Sequence, residues 1–181
     1  YGLQDREDEI PISATDTNFR WASVSKPITA VAAMTLVQEG LLDLDRDIRD
    51  YYSSYKLPPE YMTAGGETVA LASDTLITLR MLLGHMSGIQ HYSNGTVNPT
   101  PEVSLRNNPD LNTGFVWPFE LWMGAPLLFP PGEQYSYTTM GFNLAGAVIG
   151  AVYNDAYDLD LPPDQSFRDL VYKRIGKKAA P

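Results

Sequence analysis

The 181-residue chain contains no cysteine. That excludes disulfides, thiolate metal sites and a cysteine nucleophile. Histidine is scarce as well: His85 and His91 are the two in the chain, and neither belongs to an H-E-x-x-H motif. A catalytic zinc site is therefore not expected. Basic residues are too few and too scattered to make a polyanion-binding patch. Acidic side chains outnumber basic ones 22 to 13, for a net charge of −9, so nucleic acid and anionic membrane are poor partners. No apolar run reaches the roughly 18 residues needed to span a bilayer. A signal-peptide pattern is also lacking, and the chain opens on Tyr1 rather than Met, so removal of an upstream segment is expected. The length suits one domain with a real core, spanning residues 1–181.

What is present is mostly helical. Residues 1–20 are polar and read as loop, with one edge strand at Ile10-Pro11-Ile12. From Ser23 the pattern changes. Ile28, Val31, Ala32, Met34, Leu36 and Val37 form a stripe that predicts a largely buried helix over 24–39, stopped by Gly40. LLDLDRDIRDYY (41–52) reads as a turn and a short helix, and 53–75 as loop, with Pro58-Pro59 and Gly65-Gly66. Thr78 can cap a short helix over Leu79–Leu83 that ends at Gly84. The irregular stretch from His85 to about Leu128 is long enough to suggest function, and its Trp, Phe and Pro content suggests an aromatic-lined pocket. Met140, Leu144, Val148 and Val152 recur every fourth residue and predict a helix over 139–153. Its small residues, Gly141, Ala145, Gly146, Ala147 and Gly150, point to close packing against a neighbour. Phe167, Leu170, Val171 and Ile175 mark a last amphipathic helix.

Two stretches have the S-x-x-K spacing of a hydroxyl activated by an amine: Ser23 to Lys26 and Ser53 to Lys56. Residues three apart share a helix face, and Pro27 is tolerated in a first helical turn. Ser23 and Lys26 therefore point the same way at a helix start, where free N–H groups and the positive dipole end can stabilise an oxyanion. The same setting favours a neutral amine able to accept the serine proton. Ser25 can cap this helix while Ser23 serves as nucleophile. No helical pattern follows Lys56, so Ser53 reads as a solvated loop residue.

A second pair of alternatives concerns a proton-shuttling tyrosine. Tyr92-Ser93-Asn94 matches Y-x-N literally, but Ser93-Asn94-Gly95 is turn chemistry. Tyr137-Thr138-Thr139 matches only with threonine replacing asparagine, yet it stands directly before a strongly periodic helix, a rigid place for a side chain.

Four blocks then carry a family likeness: FRWASVSKPITAVAAMTLVQEGLLDLD (19–45), ITLRMLLGHMSGIQHY (77–92), PPGEQYSYTTMGFNLAGAVI (130–149) and, weakly, FRDLVYKRI (167–175). The chain resembles the serine β-lactamase-related family, which includes class C β-lactamases, penicillin-binding-protein-like carboxypeptidases, D-aminopeptidases and esterases. It is most similar to the mitochondrial-type β-lactamase-like serine peptidases and their bacterial relatives. The resemblance implies an α/β (α+β) fold of the β-lactamase/transpeptidase type, a helical subdomain plus part of an antiparallel sheet. It implies Ser23 as the acylated nucleophile, Lys26 as its base or proton relay, and Tyr137 as the group that protonates the leaving group. Thr139 stands where the family more often has Asn, as a substrate-binding hydroxyl with one donor. This argues against β-lactams as the natural substrate. His85, Ser87 and Gly88 match a block read as structural. Neither metal nor cofactor is required.

The family's opening strands and its later H-x-G or K-T-G strand have no counterpart in the sequence, so the chain reads as an incomplete family domain. That later strand normally supplies a second oxyanion N–H, and losing one such donor costs roughly 3 kcal/mol. A second chain or segment completing the sheet is the expected partner, beside a small-molecule or peptide-like substrate. The reading is thus a serine hydrolase acting through a covalent acyl-enzyme on a small ester or peptide-like amide. A non-catalytic scaffold and an acyltransferase using the same site are the alternatives. Family members are often exported, which leans the expected location toward secreted or periplasmic.

Overall fold

The structure is a computed structural model that describes residues 2–17, 19, 21–91 and 124–177. Its centre is a helix with almost no polar side. The run from Thr139 to Tyr157 forms a 19-residue helix (α3 below) whose Leu144, Ala145, Ala147, Val148 and Ile149 are fully buried. Around it stand three others: α1 (Ser25–Gln38), α2 (Leu79–Leu83) and α4 (Pro163–Val171). A helix apolar all round is a core helix or a membrane span. No helix among the described residues is long and apolar enough to cross a membrane, and α3 is wrapped by its neighbours instead.

The small residues of α3 let those neighbours come close. Adding a Cβ at Gly150 would drive it into the carbonyl of Pro163, the first residue of α4. At Gly141 it would meet the methyl of Thr138 at 2.9 Å. Thr138 caps α3, its hydroxyl accepting the Gly141 N–H at 3.3 Å, and Asp158 closes the helix in a left-handed conformation. Thr78 caps α2 as expected, accepting the Met81 N–H at 3.2 Å.

The strands are short and peripheral. β1 (Leu3–Asp5) pairs antiparallel with β2 (Ile10–Pro11), so the N-terminal region holds two strands rather than one. A second hairpin joins β3 (Glu60–Met62) to β4 (Thr68–Ala70), where the sequence reads as loop. The loop reading fails because β4 is exposed along its whole length and shows no inward alternation. Backbone partners hold the hairpin instead: Met62 N–H donates to Leu127 O at 2.7 Å, and Leu127 N–H to Glu60 O at 2.9 Å. The segment 41–52 is a turn followed by one tight 3₁₀ turn at Ile48–Asp50, as expected.

Two expectations about α1 need correction. Ser25 does not cap the helix. Val24 stands at the cap position with no side-chain bond, because the 3₁₀ turn Ala22–Val24 runs straight into α1 and supplies its entry. Nor is α1 largely buried. Thr29, Ala32, Ala33 and Leu36 face the core, whereas Val31 (51% exposed), Met34 (43%) and, just before the helix, Val24 (61%) are open among the described residues. The stripe is apolar all round, so periodicity alone does not select a face.

If the close approach at α3 is what sets the helix packing, Gly150→Ala should destabilise the chain by at least about 3 kcal/mol, through overpacking against backbone that cannot yield. Gly65→Ala, whose Cβ meets nothing closer than 3.7 Å, should stay within about 0.5 kcal/mol. Thermal unfolding of the two variants checks this, and equal midpoints would refute it.

Candidate active site

Ser23 sits in the 3₁₀ turn that enters α1, two residues ahead of the helix, and its side chain is exposed. The preceding residue, Ala22, has φ +45°, a left-handed conformation that few residues with a Cβ adopt. Backbone strain of this kind clusters at functional sites, where surrounding packing enforces it. Lys26 lies one turn on and half-buried, and its Nζ donates to Ser23 Oγ at 3.2 Å.

Tyr137 arrives from the far end of the chain. Its Oη is 2.6 Å from Ser23 Oγ, across 114 residues of sequence, and either oxygen can be the donor. Lys26 Nζ also stands 4.7 Å from the centroid of the Tyr137 ring and 5.6 Å from that of Phe142. The three side chains thus form one contact group. Hydrogen bonds from Lys26 first, then from Ser23, hold the Tyr137 phenol below its ordinary value of 10.0, with the Thr139 hydroxyl contributing least. Thr139 opens α3 and is half-buried beside this group.

The backbone that carries Tyr137 is held by the block 85–90. Leu128 N–H donates to Gly88 O at 2.7 Å, Gly132 N–H to Met86 O at 2.8 Å and Ser136 N–H to His85 O at 2.9 Å. The Thr138 hydroxyl donates to Gln90 O at 3.0 Å. At Gly88 the chain is left-handed, φ +73°, and a Cβ there would overlap the Phe129 carbonyl, so only glycine lets the two segments meet. The reading of His85, Ser87 and Gly88 as a structural block fits this placement.

The second S-x-x-K does not assemble. Lys56 Nζ donates to the backbone carbonyl of Ser53 at 3.2 Å, not to its hydroxyl, and both residues are exposed. Tyr92, Ser93 and Asn94 lie outside the described residues, as does most of the stretch expected to line an aromatic pocket. Phe142 escaped notice in the sequence, although it lies five residues after Tyr137 on the first turn of α3. The sequence marks His85 within a block, but no local pattern points to its contact with Tyr137. Among the described residues no three His, Asp or Glu side chains gather as metal ligands.

The chain has a known fold, that of the β-lactamases and transpeptidases. The chain superposes on a penicillin-binding protein from Bacillus halodurans with TM-score 0.67 and 26% identity, over 97% of this chain and 46% of that one. With EstCE1, a hydrolase with promiscuous acyltransferase activity, the TM-score is 0.61 and the identity 25%, over 97% and 42%. Esterase EstB of Burkholderia gladioli is 31% identical over 155 residues, 82% of this chain and 35% of EstB. The chain belongs to the Beta-lactamase family, whose model matches residues 1–179. It spans 27–35% of the length of the curated relatives it matches first.

The contacts around Tyr137 make its titration testable. In a ¹³C-tyrosine-labelled sample, Tyr137 should ionise at lower pH than an ordinary phenol, and Lys26→Met should return it toward about 10. Tyr55, whose phenol burial pushes up, should ionise well after it. A wild-type spectrum in which no tyrosine titrates early would contradict the Lys26–Tyr137 contact.

Proposed function

We propose that the chain is the acylating part of a serine hydrolase, acting on a small ester or peptide-like amide through a covalent intermediate on Ser23. The observation that carries this is the single contact group of Ser23, Tyr137 and Lys26, with oxygen–oxygen and nitrogen–oxygen separations of 2.6 and 3.2 Å. Packing alone does not require a tyrosine to bond an exposed serine beside an amine. A nucleophile that must lose its proton does.

In this reading Ser23 Oγ attacks the substrate carbonyl carbon and its proton passes to the Tyr137 phenolate. Lys26 lowers the phenol and steadies Oγ. The tetrahedral intermediate collapses as the bond to the leaving alcohol or amine breaks, and Tyr137 returns the proton to the leaving group. Water then attacks the acyl-serine, giving a proton to Tyr137, and Oγ recovers it on departure. The resemblance implies Lys26 as base or proton relay. The shorter contact and the lowered phenol favour Tyr137 for that step and leave Lys26 as its electrostatic partner. Thr139 would donate to a substrate carbonyl from the start of α3.

The open Val24, Val31 and Met34 support a partner, a second chain or a segment completing the sheet, that covers that side of α1 and adds the second oxyanion donor. Acyl transfer to an alcohol is the second reading. The likeness to EstCE1, a hydrolase with promiscuous acyltransferase activity, favours keeping it, since the same acyl-serine serves both reactions.

Intact mass after treatment with a fluorophosphonate probe tests the proposal. One adduct is expected, present in Ser53→Ala and absent in Ser23→Ala. Tyr137→Phe should slow its formation by about a hundredfold, in the range for losing a positioned proton-transfer group. An unlabelled but folded wild type would leave a scaffold, or part of an enzyme that needs its completing strand.

A further inference from the structure

His85 makes more contact with the Tyr137 segment than a turn histidine needs. Its carbonyl accepts the Ser136 N–H at 2.9 Å, and its ring nitrogen Nδ1 accepts the Thr138 N–H at 3.1 Å. One residue therefore holds the backbone on both sides of Tyr137. Its imidazole also lies against the phenol, with ring centroids 4.5 Å apart and planes tilted by 37°. Phe142 packs on it at 5.0 Å and Tyr135 meets it edge-on at 5.8 Å. The backbone at His85 is left-handed, φ +58°, where Gly or Asn is the usual occupant.

We propose that His85, as the neutral Nε2–H tautomer, is the positioning residue of Tyr137, and that protonation of its imidazole releases the Tyr137 segment and turns the site off in acid. The chemistry is simple. An acceptor at Nδ1 must carry a lone pair. Once protonated, Nδ1–H faces the Thr138 N–H, donor against donor, and the bond is lost. Thr138 is also the α3 cap and the donor to Gln90 O, so losing its amide anchor loosens the residue next to Tyr137.

The surroundings favour the neutral ring. Burial comes first, and then the charge of Lys26 from α1 and that of His91 from the same loop, all holding His85 below its ordinary 6.5. Tyr135 and Tyr137 are the other titratable groups against it, and a phenolate on Tyr137 acts in the opposite direction, favouring the charged ring. The sign follows: the folded state prefers the unprotonated ring, so the bond is intact at neutral pH and fails as pH falls through the lowered value. His91 is lowered for similar reasons, burial and then Lys26, so the test must separate the two histidines.

The activity arm of the test rests on the acyl-enzyme reading, and the spectroscopic arm does not. Imidazole ¹⁵N spectra of the full chain should show His85 with a bare Nδ1 at neutral pH and a Thr138 amide that shifts as His85 titrates. A proton on Nδ1 at neutral pH would overturn the proposal whatever the activity. Fluorophosphonate labelling is followed between about pH 5 and 8 in two variants. His85→Asn keeps a short acceptor, tolerates the left-handed backbone and cannot titrate; its labelling at neutral pH should remain and its acid fall-off should move away from the His85 titration seen by ¹⁵N. His85→Gly relaxes the backbone but has no acceptor, and should label at least about tenfold more slowly, with probe affinity little changed. Wild-type speed in His85→Gly, or an unchanged acid limb in His85→Asn, would refute the proposal. A wild type that never labels would sink the acyl-enzyme reading and leave the ¹⁵N result to decide His85.

Discussion

Close packing on a helix of small residues is the constraint on which the rest of the molecule depends. Gly141, Ala145, Gly146, Ala147 and Gly150 leave α3 narrow enough for α1, α2 and α4 to press on it from several sides. Because α1 lies on α3, the turn that enters α1 and the loop that enters α3 meet at one end. Ser23 and Lys26 come from the first, Tyr137 from the second. An added methyl at Gly150 would move α4, and with it the surroundings of α1. The site is in this sense a property of helix packing before it is one of side chains.

Around the site a single amine does several jobs. Lys26 bonds the serine, faces the rings of Tyr137 and Phe142, and biases the ionisation of Tyr137 and of both histidines. The bias has opposite chemical consequences for the two kinds of group. A nearby positive charge makes a phenol a readier anion and an imidazole a more reluctant cation. One lysine thereby favours a phenol that ionises more readily and a neutral histidine whose Nδ1 accepts an amide N–H. The far end of the helices is tied by charge as well: Glu39 at the end of α1 binds both the Tyr157 hydroxyl, at 2.8 Å, and Arg174, at 2.6 Å. That cluster is partly exposed and adds alignment more than energy.

Much of this was legible in the residues. The S-x-x-K spacing, the caps at Thr78, the period of four from Met140 to Val152 and the glycine stops all act within a few residues of one another, so local reading recovers them. The choice between two serine–lysine pairs was also local, since only Ser23 precedes a helix. The hairpin Glu60–Ala70 was not legible, because its pairing draws on the backbone of Leu127 and its outer strand is exposed. The exposed face of α1 was not legible either, since valine and methionine look the same to a pattern whether or not a neighbour covers them.

The sequence by itself determined which helices form, where α2 and α3 begin, and that a serine and a lysine would share one helical turn, because turn sterics, capping and helical periodicity are short-range effects. Only the tertiary structure decided that Tyr137 reaches Ser23, that His85 grips the backbone on both sides of that tyrosine, and which side of α1 is covered. Those outcomes depend on contacts across as many as 114 residues. Their geometry comes from how closely helices can approach, and no local window of residues contains that information.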